Sequence, residues 1–85
     1  MELEQLRMFI KVAKTGSFTK AAEELFVSHS TISRAVASLE AELGKKLLER
    51  DNRVLGLTPE GAFLLKRAED ALTLIDEIAG EIHNM

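Results

Sequence analysis

The first half of the chain carries its apolar residues at helical spacing, in three short segments that turn residues separate. The first segment has one apolar face, formed by Leu3, Leu6, Phe9, Ile10 and Ala13. Gly16 follows it, as glycine commonly does just past a helix end. Ser17 predicts the N-cap of a short second helix, "FTKAAEELF", and Ser28 that of a third helix, which runs to Leu43 before Gly44. A short helix, a tight turn and a longer helix form the helix-turn-helix pattern.

After Gly44 the apolar residues occur in short groups. The stretch "KKLLERDNRVLGLT" has apolar groups at Leu47–Leu48 and Val54–Leu57, on either side of Asp51–Asn52. Aspartate and asparagine tolerate the backbone conformations that a tight turn needs. We therefore expect a small two-stranded hairpin here.

The last helix is predicted to be the longest. "TPEG" opens it, with Thr58 as N-cap, Pro59 at the first helical position and Glu60 near the positive end of the helix dipole. Apolar residues follow at intervals of four and three, at Leu64, Ala68, Ala71, Ile75, Ile78 and Ile82, and Leu65, Leu72 and Ala79 widen this stripe. A stripe this wide, on a helix that runs past the rest of a small domain, needs a partner.

We therefore predict that the chain forms a homodimer through its C-terminal helix. The predicted dimer interface consists of Leu64, Ala68, Ala71, Leu72, Ile75, Ile78 and Ile82. The predicted division is a domain of residues 1–58 followed by a dimerisation helix of residues 59–85.

Composition bounds the class of protein. The chain has 85 residues, 46% of them apolar, which suits one small globular domain. It has no cysteine, so neither disulfide bonds nor thiolate metal sites can support its core. No apolar run approaches the roughly 20 residues of a membrane span, and the start "MELEQLRMF" lacks the basic flank of a signal peptide. We expect a cytoplasmic protein that binds no membrane.

The charge of the chain is unevenly distributed. A formal net charge of −3 argues at first against a nucleic-acid partner. Residues 1–57, however, hold nine lysines and arginines against eight acidic residues, whereas residues 58–85 hold two against six. The whole-chain charge therefore misstates the electrostatic field around the first two thirds. Two hypotheses remain: a DNA-binding domain, or a protein–protein interaction module that uses the long acidic C-terminal helix.

Catalysis, metal binding and cofactor binding have little support. His29 lies between two serines, but adjacent residues on a helix diverge by about 100°. The other histidine, His83, lies in a different predicted helix, and no HxxxH or HxxE spacing occurs. We therefore expect no enzyme, metal site or cofactor. The phenylalanines are expected to pack inside the fold or at helix junctions, at Phe9, Phe18, Phe26 and Phe63.

The start of the third helix has an unusual composition. "VSHSTISRAV" contains three serines and a threonine, which are weak helix formers, although an ordinary apolar face follows. In a helix-turn-helix, the second helix places its N-terminal residues against base edges in the major groove, which is about 12 Å wide and favours small side chains. Small side chains lie opposite the apolar face, at Ser30, Ser33, Ala37 and Ser38.

Arg34 lies one helical turn beyond Ser30, within reach of a phosphate or a guanine edge. Ser28, however, would cap a helix in any protein, and Ser30 and Thr31 are equally consistent with solvated first-turn residues. These ten residues alone leave DNA contact and simple solvation as open alternatives.

The chain resembles the N-terminal domain of LysR-type transcriptional regulators. The resemblance rests on "GSFTKAAEELFVSHSTISRAVASLEAELGKKLLER" and on "LTPEG", and it extends from Leu3 into the last helix. It implies a mainly α fold: a winged helix-turn-helix of three helices and a two-stranded wing, followed by a long linker helix that pairs in a dimer. It also implies that an effector ligand binds a C-terminal domain that these residues do not contain.

The resemblance also implies which residues contact double-stranded DNA at an operator or promoter. The recognition helix, residues 28–43, enters the major groove, and the wing's Arg53 enters the minor groove, although a solvated turn arginine is the alternative. Many family members carry Gln-Pro where this chain has His29–Ser30, and phenylalanine where it has Leu48.

Apart from the resemblance, the start of the second helix predicts phosphate contacts at Ser17, Thr19 and Lys20. Arg50 is a further candidate phosphate contact, with an ordinary surface residue beside the hairpin as the alternative. The complete predicted set is Ser17, Thr19, Lys20, Ser28, His29, Ser30, Thr31, Ser33, Arg34, Arg50 and Arg53.

Overall fold

The computed structural model describes residues 1–50 and 55–85. It is mainly helical, with three helices, a two-stranded antiparallel sheet and a long final helix, so the predicted fold class is confirmed. In chain order the elements are α1 (Leu3–Thr15), α2 (Phe18–Leu25), α3 (His29–Leu43), β1 (Leu48–Arg50), β2 (Leu55–Leu57) and α4 (Pro59–His83). We call β1 and β2 together the wing.

The predicted helix ends are confirmed except at α2, whose predicted span includes Phe26 but which ends at Leu25. Local hydrogen bonds and backbone conformations set these ends. The Ser17 hydroxyl accepts the Lys20 backbone N–H, and the Ser28 hydroxyl accepts the Thr31 N–H at 3.2 Å. Gly16 and Gly44 end α1 and α3 with φ of 68° and 67°, a left-handed conformation that glycine adopts without steric cost.

The core lies where the first three helices meet the base of the wing and the first half of α4. Its largest fully buried side chains come from α1, from α3 and from the residue just before the wing: Phe9, Val12, Ile32, Val36, Leu39 and Leu47. Ala21 of α2 and Ala68 of α4 complete it with small side chains that let the helices approach closely. One core therefore fixes α2 and α3 relative to the wing.

The wing is short and antiparallel. Leu48 pairs with Leu57 and Arg50 with Leu55. The first strand begins at Leu48 rather than at Leu47, whose backbone bonds to α3 and to the start of α4. The predicted turn at Asp51–Asn52, together with Arg53 and Val54, lies outside the described residues.

The predicted apolar stripe of α4 is divided between two environments. Ala68 and Leu72 are 3% and 7% exposed, so the chain's own fold buries them where α4 lies against the other helices. We therefore correct the predicted dimer interface by removing these two residues. Leu64 is half-buried against the core, whereas Ala71, Ile75, Ile78 and Ile82 remain exposed.

The expectation that all four phenylalanines pack inside the fold or at helix junctions is wrong for two of them. Phe26 is 93% exposed, because it ends α2 in a left-handed conformation, φ 57° and ψ 42°, that turns its side chain outward. Phe63 is 66% exposed on α4, with the Arg67 guanidinium 5.7 Å from its ring centre. Within residues 1–50 and 55–85, no helix is both long and apolar enough to span a bilayer.

Candidate nucleic-acid interface

The first turn of α3 presents a cluster of small hydroxyl side chains. The Ser28 Oγ lies 2.8 Å from the Thr31 Oγ1 and 3.2 Å from the Ser30 Oγ, so capping orders three hydroxyls together. Ser28, His29 and Ser30 are exposed, and Thr31 and Ser33 are half-buried. The opposite face of α3 is fully buried, so the helix can present only this side to a partner.

Arg34 lies over the same turn. Its Nε donates to the Ser30 carbonyl oxygen at 3.3 Å, and one of its terminal nitrogens donates to the Ser30 Oγ at 3.4 Å. Both hydrogen bonds are long, and the side chain is exposed. Replacing these two hydrogen bonds with contacts to a phosphate or a base edge therefore costs little free energy.

Phe18 connects three of the elements that form this surface. Its ring, at the start of α2, lies 5.7 Å from the His29 ring at the start of α3, with the planes tilted by 49°. The Arg50 guanidinium, at the end of β1, lies 4.9 Å from the centre of the same ring, within the range of a cation–π contact. One aromatic side chain therefore contacts α3 and the wing at once.

The start of α2 lies beside this cluster. Ser17 caps the helix, and Thr19 and Lys20 are exposed in its first turn. Backbone N–H groups at a helix N-terminus attract phosphate, and a lysine in the first turn strengthens that attraction. The starts of α2 and α3 and the end of β1 form one surface, which we call the candidate DNA surface.

The cations of this surface differ from those of α1. Within residues 1–50 and 55–85, no carboxylate lies within 4.0 Å of a side-chain nitrogen of Lys20, Arg34 or Arg50. In α1, by contrast, Lys11 pairs with Glu24 at 3.3 Å and Lys14 pairs with Glu69. The candidate DNA surface therefore carries three cations without a carboxylate partner in the described residues, although the chain is acidic as a whole; Lys45 and Arg67 are the other two cations in that state.

The structure brings ten of the eleven predicted DNA-binding residues to this surface, and the eleventh, Arg53, lies outside the described residues. Ser38, which the sequence pattern also placed on the outer side of α3, accepts a hydrogen bond from the Gln5 Nε2 at 3.1 Å and belongs to the contact with α1. In the part of the chain that the structure describes, no group of three potential metal ligands occurs.

Sequence reasoning missed three residues that contact this surface or the segment leading into the wing: Phe18, Glu40 and Gly61. Phe18 was assigned only to packing. Glu40 follows Leu39 on the apolar face of α3, and a charge on an apolar face is a signal of a specific partner. Gly61 occupies the first turn of α4, where glycine weakens a helix unless another group must approach closely.

Comparison with known proteins identifies a family that shares this architecture. Residues 3–62 match the model of the bacterial regulatory helix-turn-helix proteins of the lysR family. The HTH-type transcriptional regulator BenM of Acinetobacter baylyi is 44% identical over 78 residues, which are 92% of this chain and 26% of that protein. The HTH-type transcriptional activator AllS of Klebsiella pneumoniae is 41% identical over 85 residues, which are 100% of this chain and 32% of that protein.

Solved structures show the same fold. The crystal structure of the BenM_DBD/catB site 1 DNA complex matches with a TM-score of 0.95 and 40% identity, covering 99% of this chain and 93% of that one. The CbnR_DBD–DNA complex matches with a TM-score of 0.92 and 39% identity, covering 99% and 97%. The chain spans about a quarter to a third of the length of the curated relatives it matches.

Proposed function

The chain belongs to the LysR family of bacterial regulatory helix-turn-helix proteins, and on that premise we propose that it is a sequence-specific DNA-binding domain of a transcriptional regulator. The observation that carries the proposal is the candidate DNA surface, where an exposed first turn of α3 lies beside the start of α2 and the Arg50 guanidinium. Two relatives of the same fold were crystallised in complexes with DNA. In the proposed complex α3 occupies the major groove and the wing lies at the minor groove.

The residues of the surface divide into two proposed roles. Base edges are contacted by the exposed outer side of α3, at His29, Ser30, Ser33 and Arg34. The DNA backbone is contacted by the helix starts and the wing, at Ser17, Thr19, Lys20, Ser28, Thr31 and Arg50. For Arg53 the minor-groove role rests on the family resemblance alone.

His29 and Ser30 distinguish this chain from the Gln-Pro pattern of many family members. Imidazole donates one hydrogen bond and accepts another in its neutral form, so it can replace glutamine as a base contact. Serine supplies a backbone N–H that proline lacks, together with a hydroxyl. We therefore propose that the preferred operator differs from that of Gln-Pro members at the base pair facing position 29.

We propose a homodimer through α4. The exposed part of the stripe consists of Ala71, Ile75, Ile78 and Ile82. At the other end of α4 lies a mainly apolar groove lined by Leu43, Leu47, Pro59, Phe63 and Leu64, together with Lys45 and Glu60. In an antiparallel pair, as the family resemblance suggests, the isoleucines of each copy cover the groove of the other. The folded body then extends to about residue 72, and residues 73–85 form the dimerisation arm.

The rest of the proposed role follows from the family. The protein acts in the cytoplasm, where bacterial DNA lies, and it regulates transcription without catalysing a reaction. We assign effector binding to a domain outside these residues, because the chain covers only 26% and 32% of two regulators that it matches. No cofactor, metal or membrane has a role in the proposal.

Selection of bound duplexes from a random pool tests the proposal. We expect one enriched operator with two half-sites, bound by the dimer more tightly than unrelated duplex. Binding of every duplex with equal affinity would reject sequence-specific recognition. Failure to shift any duplex at low salt, together with a stable complex with another protein, would instead favour the interaction-module hypothesis.

The salt dependence of binding separates the roles of individual residues. Each phosphate contact adds about 0.9 to the magnitude of the slope of log affinity against log salt. Arg34→Ala lowers that slope if the arginine binds phosphate, and it relaxes the preference at one base pair if it reads a base. Lys66→Ala is the matched control: it removes one positive charge from α4, where Lys66 pairs with Asp70 at 3.4 Å, and it leaves both properties unchanged.

A further inference from the structure

Glu40 is a buried charged residue that none of the proposed contacts uses. Among the described residues it is the one buried charged side chain, 9% exposed, and it follows the fully buried Leu39 on α3. A carboxylate in a protein core is costly unless hydrogen bonds replace the water that it loses. Its partners therefore indicate what it does.

The partners of Glu40 are the backbone groups that lead into the wing. The Leu47 N–H donates to the Glu40 Oε2 at 2.8 Å, and the Leu48 N–H donates to the same oxygen at 3.4 Å. The backbone carbonyl of Glu40 accepts the N–H groups of Gly44 and Lys45 at 2.9 and 3.3 Å. One residue of α3 thus binds four N–H groups of the segment that leaves the helix and enters β1.

The same segment is held from its other side by the start of α4. The Thr58 hydroxyl donates to the Lys46 carbonyl oxygen at 2.6 Å, and the Thr58 N–H donates to the Leu47 carbonyl oxygen at 3.1 Å. A Cβ on Gly61 would lie 2.0 Å from that Leu47 oxygen, so only glycine permits this approach. The segment is therefore fixed between α3 and α4.

The direction of β1 follows from this fixation. Arg50 lies two residues beyond Leu48 on β1, and its guanidinium lies over Phe18 on the candidate DNA surface. Lys46, the one cation within 4.0 Å of the Glu40 carboxylate in the described residues, is 82% exposed and its Nζ lies 3.9 Å away, so it contributes little. The hydrogen bonds, rather than the ion pair, fix the strand.

We propose that Glu40 is a positioning residue: its carboxylate fixes the wing relative to the recognition helix, so that Arg50 and α3 engage one duplex together. This inference rests on the proposed DNA-binding function and adds a residue that itself touches no DNA. It predicts that the contribution of Arg50 to DNA affinity depends on a hydrogen-bond acceptor at position 40.

A double-mutant cycle on the full chain tests the inference. Glu40→Met keeps the length of the side chain and removes the carboxylate acceptor. Glu40→Gln keeps an acceptor, because its amide oxygen can take the position of Oε2, which accepts the N–H groups of Leu47 and Leu48. Each variant is combined with Arg50→Ala, and affinity for the selected operator is measured by fluorescence anisotropy. Circular dichroism and sedimentation confirm that the variants are folded and dimeric.

The expected results separate positioning from general stability. Arg50→Ala weakens binding about tenfold in the unmodified chain and in Glu40→Gln, the size of one charge-assisted hydrogen bond. In Glu40→Met the same change weakens binding less than about threefold, because the wing no longer holds Arg50 in place. If Arg50→Ala weakens operator binding as much in Glu40→Met as in the unmodified chain, the inference is overturned and the proposed function stays intact. If Arg50→Ala does not weaken operator binding in the unmodified chain, both the proposed contact between the wing and DNA and the inference about Glu40 are wrong.

Hydrogen exchange of the unmodified chain provides a measurement that does not depend on a variant. The Leu47 amide should exchange as slowly as the amides of the buried face of α3, since the Glu40 carboxylate holds it. Exchange of Leu47 as fast as that of exposed loop amides would overturn the inference, and it decides the matter if Glu40→Met does not fold.

Discussion

The two halves of α4 carry apolar residues at the same spacing but lie in different surroundings. In the first half, Ala68 and Leu72 are 3% and 7% exposed, against the body of the domain. In the second half, Ile75, Ile78 and Ile82 are 38%, 54% and 64% exposed. From Leu72 through Ile75 and Ile78 to Ile82, the exposed fraction of these side chains rises steadily as the helix leaves the domain.

This difference shows what helical periodicity specifies. A heptad pattern determines which face of a helix is apolar, and tertiary contacts determine what covers that face. Two ion pairs connect α1 to α4 near the junction of the halves: Lys14 with Glu69, and Arg7 with Asp76 at 3.2 Å. Beyond Asp76, α4 makes no side-chain hydrogen bond or ion pair with another element of the described residues, which is consistent with the proposal that a second copy covers residues 73–85.

The largest expected effect is on the second half. Ile78→Asp should weaken dimerisation by about a thousandfold, because each dimer loses two buried isoleucines and gains two unpaired charges. Sedimentation over a concentration series measures the change, and operator binding should weaken in parallel. Thr73→Asp adds the same charge away from the stripe and should leave the dimer intact. A dimeric Ile78→Asp variant would show that the interface lies elsewhere.

A leucine in the first half should affect folding rather than assembly. Leu72→Ala, made in the monomeric Ile78→Asp background, should lower the free energy of unfolding by about 3 kcal/mol, since it leaves a cavity in the core. Ile75→Ala in the same background should lower it by less than about 1 kcal/mol, because that side chain is already 38% exposed. Urea unfolding measures both. Equal effects would remove the distinction between the two halves.

The two glycines of α4, one in each half of the helix, test the same difference in surroundings. Gly61→Ala places a Cβ 2.0 Å from the Leu47 carbonyl oxygen and should destabilise the fold by about 2 kcal/mol. Gly80→Ala meets no atom within 4 Å and should stabilise the helix by up to about 1 kcal/mol. Thermal melts at one protein concentration should shift in opposite directions. If both substitutions shifted the melting temperature in the same direction, α4 would not approach Leu47 closely.

The smallest expected effect concerns the ion pair at the junction of the halves. Arg7 and Asp76 are both substantially exposed, with side chains 39% and 63% accessible, so Asp76→Ala should change the free energy of unfolding by less than about 0.5 kcal/mol. Glu77→Ala, for which the described residues contain no ion-pair partner, is the control. If Asp76→Ala, but not Glu77→Ala, lowered the free energy of unfolding by more than about 2 kcal/mol, the contact between α1 and Asp76 would itself fix residues 73–85 to the folded body.

The elements of the fold could be predicted because their boundaries are local. Ser17, Ser28 and Thr58 cap helices through bonds to residues three positions away, and Gly16 and Gly44 end helices by their own conformation. Such signals need no knowledge of the rest of the chain. The polar side of α3 followed in the same way from the spacing of its buried residues.

Features that depend on contacts between distant segments could not be predicted. The burial of Leu72 depends on where α1 lies. The cluster of Phe18, His29 and Arg50 joins three elements whose packing no local spacing specifies. For Glu40, the sequence shows a charge on an apolar face but not the backbone groups that it binds.

We propose that duplex DNA binds to the surface formed by the starts of α2 and α3 and by Arg50. Backbone and side-chain NMR shifts of the chain, titrated with its selected operator, test this directly. We expect the largest changes at residues 17–20, at residues 28–34 and at Arg50, with smaller changes along residues 73–85. Saturable binding that leaves the first turn of α3 unchanged while shifts concentrate on α4 would contradict it.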